Sequence, residues 1–278
     1  MTVERIDAHH HLWKYSREQY PWMADNMDEL RRDFLVDDLS RVLREASIQG
    51  VVTVQARQML EETEWLLGLA EGNDFMQGVV GWVPLVEEGV RYQLDKLSVH
   101  TKLKAVRHVL HDEPDDFYML RGDFNRGVAH LKDFNLRYDI LVFERQLPQT
   151  IEFVDRHPQQ VFIVDHIAKP RIKDGLLSPW RENMVELGRR ENVYCKLSGM
   201  VTEANWAGWT ESDLQPYFEI AMEAFGPGRL MFGSDWPVIL LASSYQRWLE
   251  TVQCAISGLS PDEQTQILSG TATTAYQL

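Results

Sequence analysis

Cysteine is almost absent: the 278-residue chain carries only Cys195 and Cys254, too few for a disulfide framework and without the close spacing of a metal knuckle. Two reduced thiols suit a cytoplasmic protein. Positive charge is also scarce, with 28 Lys and Arg against 42 Asp and Glu, so the formal net charge is −14. A nucleic-acid binder or an anionic membrane surface would call for a basic patch, and no such run occurs, so neither is expected as a partner. No apolar stretch approaches transmembrane length, and residues 1–8 lack the basic and apolar run of a signal peptide. Repeats, low-complexity tracts and a Pro- or Gly-rich linker are missing, the 11 Pro and 17 Gly being spread along the chain. With 44% hydrophobic residues the chain can bury a sizeable core, and residues 1–278 read as one domain. An acidic surface permits a monomer or a small homo-oligomer.

What is present is alternation. Short β-branched runs predict strands at 4–8, 50–55, 77–82, 105–108, 137–142, 160–165, 193–196 and 230–233. Apolar residues at three- and four-residue spacing predict helices at 36–47, 61–71, 87–99, 117–134, 147–156, 180–190 and 213–225. Eight strands, each followed by a helix, is the count of a (β/α)8 TIM barrel, although a doubly wound sheet alternates as well. The polar residues favour the barrel, because in that fold chemistry gathers where strands end. His9 and His11 follow the first strand, Gln55 the second and Trp82 the third; Arg107 and His108 end the fourth, Asp165 and His166 the sixth, Lys196 and Ser198 the seventh, Ser234 and Asp235 the eighth.

In an extended strand His9 and His11 project to one side and His10 to the other, so the pair can bind one metal or polarise one carbonyl. Such pairs also satisfy each other in ordinary cores. The aromatic stretch 12–35, with Trp13, Tyr15, Tyr20 and Trp22, could cap a pocket or simply pack over the barrel.

The order of Asp7-Ala8-His9-His10-His11, Val106-Arg107-His108, Asp165-His166 with Lys169-Pro170, Cys195-Lys196-Leu197-Ser198-Gly199 and Gly233-Ser234-Asp235-Trp236-Pro237 resembles the amidohydrolase superfamily, in its branch of sugar-lactone hydrolases, with L-fuconolactonases most similar and L-rhamnonolactonases close. That resemblance implies a single (β/α)8 barrel and a lactonase. Two-metal members carry a bridging Lys or Glu on the fourth strand and a His on the fifth; here those ends read Arg107-His108 and Val142-Phe143-Glu144. The remaining set, His9, His11, His166 and Asp235, suits one divalent metal, with zinc the natural candidate, and the same four could instead work without metal through hydrogen bonds. Asp235 would be the general base, with His9, His11 and His166 polarising the carbonyl of a neutral sugar lactone. Arg107, His108, Trp82, Gln55, Lys196 and Ser198 are candidate substrate contacts, Arg107 having a buried ion pair as its alternative. The rival of another class is a metal-dependent decarboxylase of the same superfamily; the sugar, its ring size and the metal requirement stay open.

Overall fold

The alternating runs become strands and helices in a computed structural model of the chain, which describes residues 4–278; residues 1–3, the start of the N-terminal segment read above, lie outside the described residues. Strands β1 (Ile6–His10), β2 (Gly50–Val54), β3 (Met76–Gly81), β4 (Leu103–Val109), β5 (Arg137–Leu141), β6 (Phe162–Val164), β7 (Val193–Leu197) and β8 (Leu230–Phe232) pair in parallel in chain order. The ring closes where Asp235 N–H donates to His9 O at 2.8 Å and His11 N–H to Trp236 O at 2.7 Å. Helices α1 (Val36–Ala46), α2 (Leu60–Glu71), α3 (Val90–Leu97), α4 (Gly122–Leu131), α5 (Leu147–Asp155), α6 (Trp180–Gly188), α7 (Glu211–Phe225) and α8 (Tyr245–Ala255) follow the eight strands in turn. The single helix expected over 117–134 is shorter than its apolar pattern, because Arg121 adopts an extended backbone and Gly122 opens α4 as a new helix.

Apolar residues are buried in two layers. One lies between the strands and the helices. The other fills the barrel itself, where Ile6, Ala8, Val52, Val80, Ala105 and Met231 meet Ala272, Ala275 and Tyr276. These last three belong to a C-terminal tail of α9 (Pro261–Thr265), a π turn (Gln266–Gly270) and α10 (Thr271–Tyr276). The tail supplies an apolar floor beneath the strands. The aromatic stretch after β1 is packed crust: Trp13 and Tyr20 are buried, and the Trp13 indole donates to Leu30 O and Arg32 O.

β1 is where local structure departs from simple alternation. Its register with β2 shifts between Asp7 and His10, a bulge that puts Ala8 in the barrel core yet still brings His9 and His11 to the barrel's upper end. His10 turns away, as expected, to Thr53 Oγ1 at 2.8 Å. Asp7 accepts from Ser234 N–H at 2.8 Å, His9 N–H at 3.1 Å and Tyr245 O–H at 2.9 Å, so one buried carboxylate ties β1, the β8 end and α8 together. Burial lifts its pKa to about 6 against the lowering effect of those bonds. Tyr245→Phe leaves one Asp7 oxygen buried without that donor, and chemical denaturation should show a loss of about 1–3 kcal/mol; an unchanged midpoint and slope would show that the Tyr245 bond to Asp7 does not hold α8 to the barrel.

Candidate active site

The upper half of the barrel interior is charged. Arg107 from β4, Asp139 from β5, Asp165 after β6 and Lys196 from β7 point inward and are all buried. Lys196 Nζ lies 2.6 Å from Asp139 Oδ2, 2.9 Å from Asp165 Oδ1 and 3.0 Å from His9 Nδ1. Arg107 donates to Asp165 Oδ2 at 2.9 Å and to Gln55 O at 2.5 Å, and its Nη1 is 3.5 Å from His9 Nε2. From below, the Tyr276 hydroxyl donates to Asp139 Oδ2 at 2.6 Å. Burial raises the Asp139 pKa to about 6 against the pull of Lys196, whereas for Asp165 burial is outweighed by the Lys196 and Arg107 cations, which hold it well below the carboxylate range.

Above this layer stand the four residues singled out by sequence. Asp235 Oδ1 faces three imidazoles at once, 3.4 Å from His11 Nε2, 3.8 Å from His9 Nε2 and 3.9 Å from His166 Nε2. His9 Nε2 and His11 Nε2 are 3.2 Å apart. The far nitrogens are engaged: His11 Nδ1 with Val54 O at 2.8 Å and His166 Nδ1 with Ser198 Oγ at 2.8 Å. Burial lowers His166 to about 3 and His9 well below the usual histidine range, so both rings are neutral at neutral pH. For Asp235, burial works upward, but His166, His11 and Lys169 prevail and keep the carboxyl below its ordinary value.

Two backbone features aim these groups. His166, Ile167, Ala168 and Lys169 all have positive φ, between 46° and 58°, and Asp235 has φ 58°. Each such L-residue costs roughly 1–2 kcal/mol. Outer helices hold both turns in place: the Trp180 indole of α6 donates to Ile167 O at 2.8 Å, and that of Trp248 in α8 to Gly233 O at 2.8 Å. Glycine is needed beside the rings, because a Cβ on Gly199 would fall 2.5 Å from His166 Nδ1 and one on Gly233 2.8 Å from His9 Cβ.

The candidate substrate contacts divide. Lys196 and Ser198, expected as direct contacts, are fully buried behind the imidazoles, with their polar atoms facing His9, Asp139 and Asp165 in one case and His166 in the other. Arg107 takes its alternative reading, the buried pair with Asp165, with one edge toward His9. Gln55 is buried, with Nε2 donating to Arg107 O at 3.3 Å and Oε1 without a partner among the described residues. His108 and Trp82 form a rim group, the indole donating to His108 Nδ1 at 3.4 Å while His108 Nε2 meets Glu113 at 2.7 Å and its ring stacks on Tyr118.

Sequence reading assigned no role to Asp139, Asp165 or Tyr276. Asp139 did carry a signal: Arg137 and Asp139 alternate in a strand that should otherwise be apolar, which marks its inward face. Lys169 was likewise given no role; its charge bears on Asp235, His166 and His111, and it donates to Glu203 at 2.6 Å.

A divalent cation fits this donor set. Tetrahedral bonds of about 2.0–2.1 Å give ligand-to-ligand edges of about 3.3 Å, close to the separations around Asp235 Oδ1. His9, His11 and Asp235 form one buried group able to hold a metal ion, and His9, Asp165 and His166 a second that shares His9. Gly199→Ala, by displacing His166, should lower turnover on the order of 10²-fold with the circular dichroism spectrum unchanged; full turnover would show that the ring's position is not critical.

Comparison with known proteins agrees over the whole length. The family profile described as Amidohydrolase matches residues 6–278. An L-fucono-1,5-lactonase of Burkholderia multivorans is 41% identical, covering 100% of this chain and 97% of its own length, and one of Burkholderia ambifaria is 34% identical over 99% and 96%. A crystal structure of an amidohydrolase from Burkholderia multivorans with bound Zn superposes with a TM-score of 0.95, at 41% identity over 99% of both chains. With its closed eight-stranded barrel and its histidines and aspartate gathered at one end, this chain belongs to the amidohydrolase family.

Proposed function

We propose that the protein hydrolyses a sugar-acid lactone, with L-fucono-1,5-lactone the first choice, to the aldonate. The observation that carries this reading is the single oxygen of Asp235 set against three neutral or hydrogen-bonded imidazoles at the strand ends, the pairing of base and electrophile that ester hydrolysis requires. The full-length relatives named as L-fucono-1,5-lactonases supply the substrate class.

In the reaction, Asp235 accepts a proton from water as its oxygen attacks the lactone carbonyl carbon. The negative charge that develops on the carbonyl oxygen is stabilised by the imidazoles. The bond to the ring oxygen then breaks, Asp235 returns its proton to that oxygen, and the new carboxylic acid ionises into solvent. A zinc ion held by the histidines and Asp235 would add Lewis-acid polarisation of the carbonyl. His108 and Trp82 on one side, and Lys169 with Glu203 on the other, would meet sugar hydroxyls.

Three outcomes test the reading. A pH-indicator assay of aldonolactones should show proton release, and Asp235→Asn should lower kcat by about 10²–10⁴-fold; near-normal turnover in that variant sinks the assignment. Because the pKa values of Asp235 and His166 are both depressed, ionised carboxylate and neutral ring persist as pH falls, and kcat/KM should stay level from pH 7 to about pH 5 once spontaneous hydrolysis is subtracted. An acid limb centred near the ordinary histidine value of 6.5 would contradict this. Lys169→Met should raise KM about tenfold or more with a smaller change in kcat, as loss of a charged hydrogen bond to substrate would; an unchanged KM assigns Lys169 to Glu203 alone.

A further inference from the structure

The side chains around His9 determine which of its two nitrogens carries the proton. Lys196 has three N–H donors and no acceptor. Its hydrogen bonds run to Asp139 Oδ2 at 2.6 Å and His9 Nδ1 at 3.0 Å, while Asp165 Oδ1, 2.9 Å away, is a charge partner with no hydrogen bond among the described residues. Asp165 is the other candidate partner for His9, with Oδ1 3.3 Å from Nδ1, but both of its oxygens already face cations, Oδ1 the Lys196 ammonium and Oδ2 the Arg107 guanidinium. On the far side, His11 Nδ1 sits 2.8 Å from Val54 O, which can only accept, so His11 carries a proton on Nδ1. His9 Nε2 lies 3.2 Å from His11 Nε2.

We infer that Lys196 is a positioning residue that donates to His9 Nδ1 and thereby fixes His9 as the Nε2–H tautomer. Lys196 then donates to His9 Nδ1, the His9 Nε2–H faces His11 Nε2 and Asp235 Oδ1 with Arg107 Nη1 3.5 Å to its side, and His11 Nδ1 donates to Val54 O. Lys196 is itself held from below, since Asp139 also accepts from Tyr276. The consequence for the site is that one N–H points at the space between His11 Nε2 and Asp235 Oδ1. Under the lactone reading, on which this part rests, that N–H is the donor offered to the developing oxyanion.

Nitrogen NMR of protein labelled with ¹⁵N-histidine tests the tautomer without any substrate, recorded as purified and again after dialysis against a chelator, with His9 assigned by comparison with His9→Gln. After dialysis the expected spectrum has His9 Nδ1 in the range of an unprotonated ring nitrogen accepting a hydrogen bond and Nε2 in the protonated range. A protonated Nδ1 in either sample overturns the inference, whatever the protein hydrolyses. Lys196→Met should invert the two signals, because Asp165 Oδ1 then becomes the acceptor for Nδ1–H, and should lower kcat by tenfold or more with KM little changed. A folded Lys196→Met protein whose His9 signals stay in place also overturns it. Should that variant not fold, the wild-type spectrum alone decides. Failure of the lactone assay with the expected spectrum would refute the proposed activity and leave the tautomer standing.

Discussion

The upper barrel depends on one buried ammonium. Lys196 is fully enclosed, and a cation taken out of water is tolerable only where carboxylates meet it at contact distance with its hydrogen-bonding capacity used. Asp139 and Asp165 meet that need, and Arg107 balances the second carboxylate. Removing a single member would leave an unpaired buried charge, worth about 3–5 kcal/mol in comparable clusters. This requirement explains why three strands and the end of a fourth carry a charged residue facing inward where a barrel interior is ordinarily filled by branched apolar side chains. It also explains the tail: Ala272, Ala275 and Tyr276 close the floor below the charges, and Tyr276 adds a polar tip to an apolar plug.

Rigidity of the site is obtained from the outside inward. The left-handed residues after β6 and β8 would relax if free, and a β-branched Ile167 at φ 46° is especially unfavourable. Two tryptophans on outer helices, a buried Ser234 and the Asp7 carboxylate hold those segments through hydrogen bonds to backbone groups. Strain therefore sits in the turns that carry His166 and Asp235, and the cost is offset by packing in the surrounding layer.

Much of this was legible in the sequence, for identifiable reasons. All eight strands were found because parallel strands buried on both faces read as β-branched runs, and strand ends marked His9, His11, His166 and Asp235. What strand ends do not convey is depth. Lys196 and Ser198 lie at the same height as plausible contacts yet stand behind the imidazoles, since inward-facing positions on neighbouring strands form successive layers. The β1 bulge was also invisible, because His9 and His11 still share a side after it. Tyr276 gave no signal: it lies in a terminal helix remote from any strand end, and only the closed barrel brings it under Asp139. The helix over 117–134 was overextended because periodicity continues through Gly122, whereas backbone conformation does not.

The two indoles that hold the turns have a further property. Trp180 and Trp248, two of the nine tryptophans, are fully buried and hydrogen-bonded to carbonyls adjoining His166 and Asp235. An indole's emission responds to the loss of such a bond and to the entry of water. The protein thus carries its own optical reporters, one behind the turn of His166 and one behind the turn of Asp235, on which loosening of either loop would register.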